Sequence, residues 1–235
     1  HGVPAQRVQS RSGADGTSAV LFLHGGAYLL GSPTSHRSIT GRLAKLTGAT
    51  VFVPDYRLAP EHPFPAALDD ALASYRAMLA QGFRPDRIVV AGDSAGGGLA
   101  LALLLRLRDA ALPQPAGLAL ISPWADMTLA QLADIDGGDA LLRRSWLEQG
   151  AKAYLQGRSA REPLASALFG DLAGLPPTLL QAAEGEILRN DSRRLAQALN
   201  AVGVPVTHRE FPHMWHDFQL YAGIVPEATQ AVQEM

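Results

Sequence analysis

Gly92-Asp93-Ser94-Ala95-Gly96 sets a serine between two glycines at G-x-S-x-G spacing. A serine hydroxyl is a poor nucleophile alone and becomes a good one when an imidazole takes its proton. The spacing suits that chemistry where a strand precedes it and a helix follows, because a tight, strained turn then lifts the hydroxyl above the sheet. The following helix would direct its positive end at Ser94. Residues 88–91 read as the strand, and residues 99–108 as the helix after a Gly-rich turn. In that setting a purely structural glycine turn is the weaker reading.

His24-Gly25-Gly26-Ala27-Tyr28 follows an earlier strand, where small residues let several backbone N–H groups aim at one point. Such donors stabilise the oxyanion that forms when a carbonyl is attacked, each typically contributing about 2.7–4 kcal/mol. The amides of Gly26 and Ala27 (or Gly25), joined by that of Ala95, are the candidates. Seven histidines compete for the role of base. His1 is terminal, His24 more plausibly braces its own loop, His36 and His62 lie in polar loops, and His208 falls inside the last strand. His213 and His216 follow that strand, and Met214, Trp215 and Phe218 shield His216 better. Glu184, Glu186 and Asp191 follow the preceding strand; Asp191 reads as a helix cap or first-turn acid. Geometry alone does not separate Glu184 from Glu186.

These residues need a scaffold of a particular kind. Strand patterns run over residues 18–23, 50–53, 88–91, 118–121, 177–182 and 204–211. Helical patterns cover residues 39–46, 66–81, 99–108 and 192–202, with Leu68, Leu72, Tyr75 and Leu79 forming the stripe of the second. Alternation of this kind implies a mainly parallel central sheet flanked by helices. Ligands then bind beyond the carboxyl ends of the strands, where Ser94 and the loops just named fall. Residues 124 to about 164 break the rhythm: they hold a helix candidate at 141–155 and no clear strand, as an insertion over the strand ends would. The expectation is a single α/β domain spanning residues 1–235 with that insertion inside it.

Composition narrows the function classes. With 20 basic and 22 acidic residues the net charge is −2, and no Lys/Arg stripe suggests nucleic acid. Cysteine is absent, which removes disulfides, thiolate metal sites and a cysteine nucleophile. No apolar run approaches bilayer length and no signal-peptide pattern is visible, so the cytoplasm is the default location. A nucleotide site is disfavoured because neither G-x-G-x-x-G after a first strand nor a G-K-[ST] ending is present.

Five stretches, HGGAYLLGS at 24–32, DYRLAPEHPFPAALDD at 55–70, GDSAGG at 92–97, SPWADMT at 122–128, and EGEILRNDS through HMWHDF at 184–218, run across nearly the whole chain. In these the sequence resembles the hormone-sensitive-lipase-like family of α/β hydrolases, which includes many bacterial carboxylesterases. The resemblance implies the α/β-hydrolase fold with residues 124–164 as part of a helical cap; the family's N-terminal cap helices would lie before His1. It puts Glu186 at the family's acidic position and His216 at its histidine. Ala27 stands where the family usually has a third glycine, which keeps a backbone donor. Tyr56, Arg57 and Glu61 are expected to brace a loop and Asp93 to steady the elbow. Tyr28, Leu30, Trp124 and Trp215 are candidates for the pocket wall.

The expected activity is hydrolysis of short- to medium-chain carboxylic esters through an acyl-enzyme on Ser94, with His216 as base and Glu186 holding it, and with no metal or organic cofactor. The expected partner is a small-molecule ester, with an edge strand or helix near the C-terminus as the candidate surface for a homodimer. The same site would open lactones, amides or acetylated xenobiotics. A non-catalytic ligand receptor on the same scaffold is the rival from another class; retention of Ser94, Glu186 and His216 speaks against it.

Overall fold

A computed structural model describes residues 2–11 and 13–235; His1, set aside above as a terminal histidine, lies outside them. The strands are Ala5–Val8 (β1), Ala19–Leu23 (β2), Thr50–Pro54 (β3), Ile88–Asp93 (β4), Gly117–Ile121 (β5), Thr178–Ala183 (β6) and Val206–Phe211 (β7). They form one sheet in the order β1-β3-β2-β4-β5-β6-β7, antiparallel only between β1 and β3. The helices are Arg37–Thr47 (α1), Ala66–Ala80 (α2), Ser94–Asp109 (α3), Arg144–Leu155 (α4), Arg189–Ala201 (α5) and Pro226–Gln233 (α6). This is the mainly parallel sheet flanked by helices that the strand–helix alternation leads one to expect.

Alternating side chains of the inner strands divide the core. Leu21, Leu23, Val90, Leu118 and Leu120 pack with α2 and α3, whereas Phe22, Val51, Val53, Ala91 and Ile121 pack with α1 and α6. The register then sets the site. Leu23 lies opposite Gly92, and Asp93 opposite Ile121, so the His24-Gly25-Gly26 loop and the Ser94 turn leave the same sheet edge as neighbours. Ala183 lies opposite Phe211, which brings the acid and histidine loops to that edge as well.

Three features depart from the sequence reading. Strand β1 was not anticipated, because Ala5-Gln6-Arg7-Val8 carries too little apolar signal; it exists through its pairing with β3. Helix α5 starts at Arg189 rather than 192, and α4 at Arg144 rather than 141. The largest difference is α3, which begins at Ser94 and runs straight through Gly96-Gly97-Gly98, where glycine's poor helix propensity predicts a turn. Close packing explains it: a Cβ on Gly96 would lie 2.0 Å from the Leu23 carbonyl oxygen. An exposed helical Gly→Ala change stabilises by up to about 1 kcal/mol. Here the sign reverses: G96A is expected to destabilise by about 1–3 kcal/mol, read as a lower midpoint in urea unfolding at unchanged slope.

Candidate active site

Ser94 sits at the end of β4 with φ +51°, a left-handed backbone that an L-residue adopts only when its surroundings impose it. Its carbonyl accepts the Trp124 N–H at 2.9 Å, anchoring the turn from the far side. The loops that follow β6 and β7 are strapped together: Glu184 N–H donates to the Phe211 carbonyl and Gly185 N–H to the Met214 carbonyl, both at 3.0 Å. Gly185 is required there, since a Cβ would lie 2.6 Å from the Met214 oxygen. These straps deliver Glu186 and His216 to one place.

The geometry selects among the sequence candidates. His216 Nε2 is 2.9 Å from Ser94 Oγ, and its Nδ1 is 3.1 Å from Glu186 Oε2. Ser94, His216 and Glu186 are all buried. With Nδ1–H donating to Glu186, the Nε2 lone pair faces the serine hydroxyl. Burial by itself would lower the His216 pKa; the carboxylates of Asp217 and Glu186 more than offset this and hold it well above the usual histidine value. Glu184, His213 and His62 are exposed, whereas Ser94 is buried. His208 pairs with Glu210 on β7. Asp191 lies in the first turn of α5, but as a clamp: its Oδ2 accepts the N–H groups of Ala125 and Asp126 at 3.0 and 2.9 Å. It thereby ties α5 to the start of the 124–164 insertion.

Beside Ser94, the Gly26 and Ala27 amides find no acceptor among the described residues, and neither does that of Ala95 in the first turn of α3. Gly25 must be removed from the donor set, because its N–H is already bonded to Asp93 Oδ2 at 3.1 Å. Asp93 also takes His36 Nε2 at 3.1 Å. His24 braces its loop through Nδ1, 2.9 Å from the Gly25 carbonyl oxygen, and stacks on Tyr56, whose hydroxyl donates to the His24 carbonyl at 2.5 Å. Arg57 grips Asp70 with two nitrogens, while Glu61 is exposed.

A cavity of about 410 Å³ opens over Ser94. Leu141, Leu142, Trp146 and Gln149 wall it from the insertion, opposite Leu29 and Leu30. Of the four residues proposed from sequence, Leu30 alone is on the wall. Tyr28 is buried beneath, stacked on Tyr154 at 3.8 Å, and Trp124 is buried with its indole N–H bonded to the Asp126 carbonyl. Trp215 packs edge-on to Tyr221. Their size reads as pocket lining in the sequence, but such bulk more often fills the core.

His36 and Asp217 were missed, and both line the cavity. His36 carries no local signal, since its partner is Asp93, fifty-seven positions away. Asp217 carried one: an acidic residue inside an otherwise apolar stretch, directly after the candidate base.

A family model described as the alpha/beta hydrolase fold matches residues 20–220. An acetyl-hydrolase of Streptomyces hygroscopicus is 47% identical over 216 residues, covering 91% of this chain and 72% of that protein. A solved hormone-sensitive lipase from a metagenome library superimposes with a TM-score of 0.95 at 42% identity, covering 99% of this chain and 78% of the other. The solved structure of EstE5, in crystals soaked with p-nitrophenyl butyrate, matches with a TM-score of 0.91 at 39% identity, over 99% of this chain and 82% of its own.

Proposed function

Since this chain belongs to the α/β-hydrolase fold family, as one of its hormone-sensitive-lipase-like carboxylic ester hydrolases, we propose that Ser94 is its nucleophile, His216 its base and Glu186 the anion that orients the base. The 2.9 Å contact between His216 Nε2 and Ser94 Oγ carries this reading. The imidazole accepts the hydroxyl proton as Oγ bonds to the ester carbonyl carbon. Negative charge then collects on the carbonyl oxygen, where the Gly26, Ala27 and Ala95 amides stabilise it. Collapse expels the alcohol, which takes its proton from His216, and leaves an acyl group on Ser94. Water attacks that acyl group with His216 again as base, releasing the acid and restoring the hydroxyl.

Residues from about 124 to 164 act as a cap over the leaving and acyl groups. The volume of the cavity and its leucine and tryptophan walls favour short- to medium-chain acyl groups. The acetyl-hydrolase named above, and the butyrate ester used on EstE5, point to the same range. The approach of base to nucleophile argues against a receptor role, which needs no activated hydroxyl. A fluorophosphonate probe is therefore expected to label the wild-type protein at Ser94 and to inhibit hydrolysis of p-nitrophenyl acetate in proportion. Labelling elsewhere, or turnover that survives complete labelling, would reassign the nucleophile.

A further inference from the structure

Helix α4 does more than wall the cavity. On successive turns its residues 146, 150 and 154 share one face, and each meets a different part of the site. Trp146 stands on the cavity wall, Gly150 lies against Ala27, and Tyr154 stacks on Tyr28 with ring centroids 3.8 Å apart. The approach at Gly150 leaves no room for a side chain. A Cβ there would lie 2.9 Å from the Ala27 carbonyl oxygen and 3.1 Å from the Ala27 methyl carbon. The end of the helix is fixed as well, because the Tyr154 carbonyl accepts the Phe64 N–H at 2.8 Å.

The loop it meets is strained at the same place. Ala27 and Tyr28 hold φ +54° and +61°, two consecutive left-handed residues that are not glycine. Such a backbone persists only where its surroundings impose it. The Tyr28 ring packs on both Tyr154 and Trp124, and the Trp124 N–H donates to the Ser94 carbonyl, so helix, loop and nucleophile turn meet in one cluster. The Ala27 amide has no acceptor among the described residues, so no hydrogen bond sets its direction. Packing sets it instead.

We infer that α4 positions the oxyanion donors: Gly150 and the stacked ring of Tyr154 hold the strained Ala27–Tyr28 backbone so that the Ala27 amide stays aimed at the attacked carbonyl oxygen. Gly150 and Tyr154 are positioning residues, acting through Ala27 and Tyr28. The inference rests on the reading of Ser94 and its oxyanion donors given above.

The test starts with G150A. Alanine is the better helix former, but its methyl must displace the Ala27 carbonyl. For p-nitrophenyl acetate kcat is expected to fall about ten- to hundredfold with KM within about threefold, a smaller loss than deletion of a whole donor. The ketone 1,1,1-trifluorobutan-2-one reads the same donors without turnover. Ser94 Oγ bonds to its carbonyl carbon, the hydroxyl proton passes to His216, and the carbonyl electron pair becomes an oxyanion. Its Ki should rise by the factor that kcat/KM loses, while the acid limb of the pH profile stays in place because the base is untouched. Y154L, which removes the stacked ring, should repeat the pattern, and Y154F, which restores the ring, should recover most of the loss. The Tyr154 pair decides the inference if G150A does not fold. It is overturned by a G150A kcat within about twofold of the wild type, by a fall in kcat with an unchanged Ki, or by Y154F losing as much as Y154L. Failure of the underlying reading looks different: the ketone does not inhibit the wild-type protein, and the fluorophosphonate leaves Ser94 unlabelled.

Discussion

Replacing Ser94 by alanine is expected to cut kcat for p-nitrophenyl acetate by about ten-thousand- to million-fold while leaving the fold intact. The loss is large because the variant has no atom that can carry the acyl group. The remaining oxyanion donors and pocket then leave only a residual rate above that in water. Stability should change little. Among the described residues the Ser94 hydroxyl bonds only to the His216 side chain, and alanine suits the left-handed backbone at this position no worse than serine. The measurement is kcat together with the urea unfolding midpoint. A rate within tenfold of the wild type would remove Ser94 from the mechanism. A collapsed midpoint would show that the elbow depends on the hydroxyl itself.

Glu186→Gln is expected to lower kcat by about a thousand- to ten-thousand-fold although the side chain keeps its shape. A carboxylate accepts the Nδ1–H of His216 across 3.1 Å and so keeps the Nε2 lone pair toward Ser94. A glutamine amide can donate to Nδ1 instead, which places the imidazole proton on Nε2 and blocks transfer from serine. Residual activity carries a second signature. In the wild-type protein kcat/KM should fall as pH drops through a value above 6.5, because facing carboxylates favour the charged imidazole, which cannot act as base. Loss of one of those charges lowers the His216 pKa, so the acid limb of E186Q should move to lower pH. A near-normal rate with an unmoved limb would transfer the role of the acid to another carboxylate, with Asp217 first in line.

Much of the proposed catalytic constellation was legible because it is written in short segments. The strand before Ser94, the flanking glycines and the loop after the last strand are local patterns, and local patterns are what a sequence displays. The proposed acid was harder. Glu184 and Glu186 lie two positions apart, and only the straps between the β6 and β7 loops turn one of them inward and leave the other in solvent. Helix α3 misled for a related reason. Propensity is a local preference, and the neighbouring β2 carbonyl overrides it by leaving room for nothing larger than glycine at position 96.

By itself, then, the amino-acid order determined the alternation of strands and helices, the tight turn that presents a hydroxyl, and the supply of an imidazole and carboxylates in the right succession. Tertiary structure alone decided which amides are still free to donate, since Asp93 reaches across from β4 to occupy Gly25. It likewise decided that Tyr28 and Trp124 are buried core, and that His36 and Asp217 converge on the cavity. The physical reason is that hydrogen-bond satisfaction and burial belong to pairs of groups far apart along the chain, and no periodicity within a segment records which distant partner a side chain will meet.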